Sequence, residues 1–204
     1  MKKLIATTRD AIKDWILQPW VKALLDVESI AAIEKNQLQL EEHVIYKTQS
    51  IEGLGNQFNV FDSNDKDVQG VCNLVDQRLP QNENFVLTAI KVFEGQTADG
   101  TAPQAVTYDR TLRSQIGSAL VNSKVSIMEG SNVIFEQELM EVLCSSTDES
   151  LEKYYQLIEP RLLRSNRKIG VTIEVAEGQT ITAGAAGQSD YMRFELIGYR
   201  TKIR

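Results

Sequence analysis

Lys168-Ile-Gly-Val-Thr-Ile-Glu-Val-Ala-Glu177 is the stretch that decides the fold class. Ile169, Val171, Ile173 and Val175 occupy alternate positions, and Gly170, Thr172 and Glu174 fall between them. A period of two marks a strand with one buried and one wet face. A small-residue connection follows from Gly178 to Gln188, and alternation resumes in Tyr191-Met-Arg-Phe-Glu-Leu-Ile-Gly-Tyr199, where Met192, Phe194 and Leu196 share a face. Two such runs joined by a glycine-rich connection read as an antiparallel pair. The expected core is these seven apolar residues together with Phe85, Leu87, Val125, Ile127, Val133 and Phe135.

The same rhythm extends upstream. Ala119 to Met128 and Val133 to Leu139 flank Glu129-Gly-Ser-Asn132, which reads as a hairpin by turn chemistry and alternation together. Further short runs are Val44–Thr48, Gln57–Phe61, Gly70–Val75 and Asn84–Phe93, with Ala105–Tyr108 as an edge strand. Ser145 to Tyr155 is polar and acidic, a loop or short helix capped by Ser146 or Thr147. Leu157-Ile-Glu-Pro160 leads into the strand at Lys168. About eight strands with frequent turns and no βαβ alternation predict a mainly β chain, a single jelly-roll-like antiparallel sandwich.

Residues 3 to 42 have a different character and read as helical. Leu4, Ile5, Ala11, Ile12, Trp15 and Ile16 follow roughly helical spacing, and Pro19 ends or kinks the first helix near Leu17. Trp20 to Glu42 lacks glycine and is rich in Ala, Leu, Glu, Lys and Gln. Its apolar positions do not share one narrow face, so it touches more than one neighbour. The expected organisation is an N-terminal helical arm at 1–42 and a β-sandwich domain at 43–204. Both tryptophans lie in the arm. Trp15, Trp20, Leu24 and Ile30 are the expected assembly contacts, because an amphipathic helix is marginal in water until something covers its apolar face.

Composition narrows the partners. The 204 residues are 42% hydrophobic and 25% charged, ordinary for a chain with a sizeable core. A net charge of −6 and an isoelectric point near 5.0 argue against nucleic-acid binding, which draws its affinity from basic surfaces. The densest basic run, Arg161 to Lys168, reads as a solvated lead-in to a strand. The opening Met1-Lys-Lys-Leu-Ile-Ala resembles a secretory leader, but Arg9, Asp10, Lys13 and Asp14 interrupt the apolar segment such a leader needs. The expectation is a soluble chain made in a reducing cytoplasm.

Residues that carry chemistry are sparse. His43 is the lone histidine, at the junction of the helical and β regions, so a histidine-based triad or a multi-histidine metal site has little to draw on. Cys72 and Cys144 are too few and too far apart for a disulfide framework or zinc site, and read as buried small residues. Asp62-Ser-Asn-Asp-Lys-Asp67 has the start of a calcium loop, without the glycine and terminal glutamate, and with Lys66 opposing a cation. Asp148, Glu149 and Glu152 form a charge cluster with no defined partner. Gly178–Gly187 lacks the Gly-Lys-Ser/Thr ending of a phosphate loop. The expectation is no catalytic, cofactor or metal site, and a protein that is not an enzyme.

Residues 82–204 resemble structural proteins of bacteriophage particles built on jelly rolls. The features are Leu79-Pro-Gln-Asn-Glu-Asn-Phe85 before a long strand, the hairpin from Asn122 to Leu139, Glu159-Pro160 ahead of Ile169–Val175, and the glycine-rich connection with its final strand. A helical arm before a jelly roll is also similar to capsid proteins of tailless phages. The resemblance implies a capsid subunit or penton-type vertex protein, located in the virion and made in the host cytoplasm. It would associate with itself and other virion proteins, with its arm against a neighbouring subunit, a shell or an inner membrane. The chain is too short for a double jelly roll. Two alternatives use the same scaffold: a carbohydrate-binding or adhesion module, and a jelly-roll enzyme.

Overall fold

The structure is a computed structural model; it describes residues 9–35, 37–108, 118–144, 154–181 and 186–203. Among them three helices precede the first strand: α1 (Arg9–Ile16), α2 (Pro19–Lys22) and α3 (Val27–Glu34). Eight strands follow: β1 (Leu38–Ser50), β2 (Gln57–Asn59), β3 (Phe85–Ala98), β4 (Lys124–Glu129), β5 (Asn132–Gln137), β6 (Tyr155–Leu163), β7 (Ile169–Glu174) and β8 (Gln188–Ile203). Short helical turns, α4 (Ser118–Val121) and α5 (Glu141–Cys144), flank the β4–β5 hairpin.

The strands form two four-stranded antiparallel sheets, ordered β1-β8-β3-β6 and β2-β7-β4-β5. The alternating residues of β7, the Val175 that follows it, and those of β8 meet between them: Ile169, Val171, Ile173, Val175, Met192, Phe194 and Leu196 are all buried in one core with Phe85, Leu87, Val125 and Ile127. This is a β-sandwich, as the alternation predicts.

The organising stretch is nonetheless paired differently from its sequence reading. β7 and β8 are not partners. β7 lies between β2 and β4, β8 between β1 and β3, and the connection after Val175 crosses from one sheet to the other. Alternation tells which face of a strand is buried, and two strands facing each other across a core satisfy it as well as two strands side by side.

Bulges explain another departure. Register slips between Ile127 and Met128, so that Ile127 faces Phe135 but Met128 faces Val133. The extra residue, Ile134, swings Val133 to the outside, where it is 54% exposed, while Phe135 still packs against the core. In β3 the skipped residue is Thr88, whose hydroxyl donates to the Ile197 carbonyl at 3.1 Å. Beside it Gly198 lies so close to β3 that a Cβ would run into the Val86 carbonyl, which is why the long β8 strand carries a glycine there.

Other boundaries move as well. Leu38–Glu42, read as the end of the helical arm, is the start of β1, and His43 sits within that strand rather than at a junction. Ala105–Tyr108 is a short 3-10 turn and extended chain rather than an edge strand. Gly70–Val75 makes only isolated bridges, Lys47 with Cys72 and Val68 with Cys72. Leu157–Pro160 belongs to β6 itself. Ala119 and Leu120, read as strand, lie in the α4 turn. The stretches 3–8 and 145–153, with Ser146, Thr147, Asp148, Glu149 and Glu152, lie outside the described residues.

The helices rest on the outer face of the first sheet. Ile12, Trp15, Ile16, Val21 and Leu25 form a second apolar cluster with Leu40 of β1, Val86 of β3 and Tyr199 of β8. Val86 and Tyr199 are register partners, and Leu40 pairs with Thr201 two residues further along β8, so the three lie on one face as a single patch.

Candidate functional site

The helix layer carries the residues singled out as assembly contacts. α1 begins its apolar stripe with Ile12, Trp15 and Ile16 at helical spacing. Gln18, extended, precedes Pro19, which starts α2 where a missing N–H costs nothing. Asp26 caps α3: its carboxylate accepts from the Ser29 N–H at 2.7 Å and from the Ser29 hydroxyl at 2.9 Å. Burial alone would raise the Asp26 carboxyl, but bonds from the Ser29 N–H, Asn84 and the Ser29 hydroxyl outweigh it and hold it below its ordinary value.

Of the four expected contacts, the structure separates two from two. Trp15 is buried in the second cluster, and its indole stands edge-on to Trp20 at 5.5 Å between centroids. Ile30 packs against the same cluster. Trp20 is 51% exposed and Leu24 is exposed beside it. Leu17 and Val27, which the sequence reading did not select, are exposed too, Val27 at 82%. The buried positions Val21, Leu25, Ser29 and Ala32 step by four, four and three residues. That stripe was legible only if Ser29 counted as an inward residue; it is inward because Asp26 and Asn84 satisfy its hydroxyl.

A second concentration of polar groups lies at the opposite end of the sandwich. There β1, β3, β5 and β7 end and β2, β4, β6 and β8 begin. Gln49, Met192 and Glu94 are cross-strand partners and so share the core-facing side. In the next row Gln96 faces Asp190, and its amide donates to that carboxylate at 2.9 Å. The Asp190 backbone N–H donates to Glu52 at 3.2 Å. Gln49 Nε2 and Glu94 Oε2 are buried without a hydrogen-bond partner among the described residues. Burial first, then the Asp190 charge, pushes the Glu94 carboxyl up to about 7.

The remaining candidates have structural partners. Lys47, 7% exposed, sends its ammonium to Asp65 at 2.7 and 2.9 Å and to Asp62 at 3.4 Å. The calcium-like acids at 62–65 therefore hold a lysine of β1, while Asp65 also accepts the Asp62 N–H at 2.7 Å. No cluster of His, Cys, Asp and Glu suited to a metal ion occurs among the described residues. His43 is half-buried, edge-on to Phe85 at 6.3 Å; burial and then the Arg200 charge lower its pKa. Cys72 is a buried free thiol whose pKa is raised by burial. The side chain of Cys144 lies outside the described residues.

No helix among the described residues is long and apolar enough to cross a membrane. Comparison with protein-family models, curated proteins and solved structures finds no match.

Proposed function

We propose that this chain is a structural protein of a bacteriophage particle, a capsid subunit or penton-type vertex protein, whose sandwich is a jelly roll and whose N-terminal helices serve as an assembly arm. The observation that carries the reading is the pairing rule of the strands. β1 pairs with β8, β2 with β7, β3 with β6 and β4 with β5. Folding one long antiparallel hairpin, with the β4–β5 turn at its tip, around itself produces those pairs. The β3–β8 and β4–β7 ladders then hold each sheet together. Two wrapped sheets of this kind are the jelly roll used by many viral shells and also by lectins and cupins, so the fold alone does not choose among them.

The helix layer favours the shell. Leu17, Trp20, Leu24 and Val27 leave apolar side chains exposed on the helix layer, outside the cluster that packs on the sandwich. A tryptophan flanked by aliphatic residues is the kind of anchor that dominates a protein interface. A closed assembly repeats one contact many times, so a modest patch suffices.

The test is the size of the purified protein. Sedimentation velocity and negative-stain microscopy should find rings or shells several-fold heavier than the 22.9 kDa chain. Trp20→Ser with Leu24→Ser should shift the population toward monomer while leaving the β circular-dichroism signal unchanged. A chain that stays monomeric at every concentration, or a double variant that assembles as before, overturns the proposal.

A further inference from the structure

We propose that Glu94 and Asp190 form a pH-sensitive latch at the end of the sandwich opposite the helices: with Glu94 neutral the ends of β3 and β8 stay closed on the core, and with Glu94 ionised they loosen. The geometry begins with the register. Glu94 is the cross-strand partner of Met192, and Val92 and Phe194 precede them in the same core-facing file. The carboxyl therefore enters the sandwich at the last layer before its rim.

Among the described residues around it, the positive charge is already committed. From β8 comes Asp190, itself buried and bonded to Gln96. Beyond β1, Glu52 approaches the Asp190 N–H. β1 offers Gln49, whose Nε2 finds no partner among the described residues, and one layer deeper Lys47, whose ammonium is taken by Asp65 and Asp62. The facing sheet brings Glu174 and Lys124 to its corresponding end. Lys124 is paired with Glu136 at 2.8 Å and Glu138 at 3.4 Å. Nothing among these groups compensates a second negative charge beside Asp190, and a buried carboxylate without a donor loses most of its hydration.

The sign follows from linkage. A carboxyl held up to about 7 in the folded chain keeps its proton longer than the unfolded chain does. Its stabilising contribution is complete below the ordinary carboxyl value, declines as pH rises through that range, and is lost above about 7. The loss is local, because Glu94 and Asp190 sit within a few residues of their strand ends, where opening costs least.

Hydrogen exchange on the full chain tests the latch. Amides in 91–98 and 188–193 should exchange at least about fivefold faster at about pH 8.5 than at about pH 6, after correction for intrinsic rates. β4 and β7 should show no such difference. Glu94→Gln should abolish the difference by holding the end closed at both pH values. Wild-type protection independent of pH, or a pH effect that persists in Glu94→Gln, overturns the proposal. As a check that needs no variant, the side-chain carbon resonance of Glu94 should titrate near neutrality; a midpoint within the ordinary carboxyl range also overturns it.

Discussion

The side-chain amide of Asn84 and the carboxylate of Asp26 meet at 3.1 Å although 58 residues separate them in the chain. The same amide donates to the Ser29 hydroxyl at 3.1 Å, and the Asn84 side-chain oxygen accepts from the Ser165 N–H at 3.0 Å. Its backbone N–H goes to the Thr201 hydroxyl at 2.9 Å. One buried residue thereby ties the helix layer, the start of β3, the end of β8 and the β6–β7 turn. Asn84→Ala should cost about 2–4 kcal/mol in chemical denaturation, since it leaves several buried polar groups unpaired. A loss below about 0.5 kcal/mol would mean water replaces the network.

The helix layer should behave as part of the fold. Removing residues 1 to 37 strips Ile12, Trp15, Ile16, Val21 and Leu25 from the cluster that buries Leu40, Val86 and Tyr199. The truncated chain should lose cooperative unfolding or aggregate, as followed by circular dichroism and sedimentation. A soluble, cooperatively unfolding β domain would show instead that the helices are a detachable arm.

Gly198→Ala should be among the most damaging small substitutions in the chain. The added methyl collides with the Val86 carbonyl, a backbone atom held between two ladders. A loss of about 3 kcal/mol or failure to fold is expected, against about 1 kcal/mol for Gly178→Ala, where only a positive φ is strained. Equal effects at the two sites would contradict the close approach.

Core and bulge can be separated by three truncations. Val171→Ala and Ile173→Ala remove fully buried methyl groups and should each cost on the order of 2–5 kcal/mol. Val133→Ala, on the outer side of the β5 bulge, should stay within about 0.5 kcal/mol of the parent. If Val133 proves as costly as Val171, the bulge is misplaced.

The His43 pKa lies below its ordinary value, so the folded chain resists its protonation. Stability from this group is complete above about 6.5 and falls as pH drops through that value toward the folded pKa. Glu94 acts in the opposite sense in part of that range, so the comparison belongs in the Glu94→Gln background. There the denaturation midpoint should fall between about pH 7.5 and pH 5.5, and His43→Gln should flatten the fall. An unchanged slope would assign the acid loss elsewhere.

Alternation in Ile169–Val175 and Met192–Leu196, and the turn at Glu129–Asn132, made the buried faces and one hairpin readable from the chain alone. These signals are local: a period of two and a glycine turn act on neighbours in sequence. Pro19 likewise divided the helices by removing a donor and fixing φ. Strand partnership was decided only in three dimensions. β7 pairs with β2 and β4, and β8 with β1 and β3, because ladders join residues far apart that no local pattern connects. The exposed helix face was partly legible in Trp20 and Leu24, but Trp15 turned inward because it fits the patch that Leu40, Val86 and Tyr199 assemble from three strands. The Glu94 layer was not legible at all. A glutamate in an alternating strand reads as wet, and only the register that sets it beside Met192 and near Asp190 places its carboxyl where water is scarce and a like charge is close.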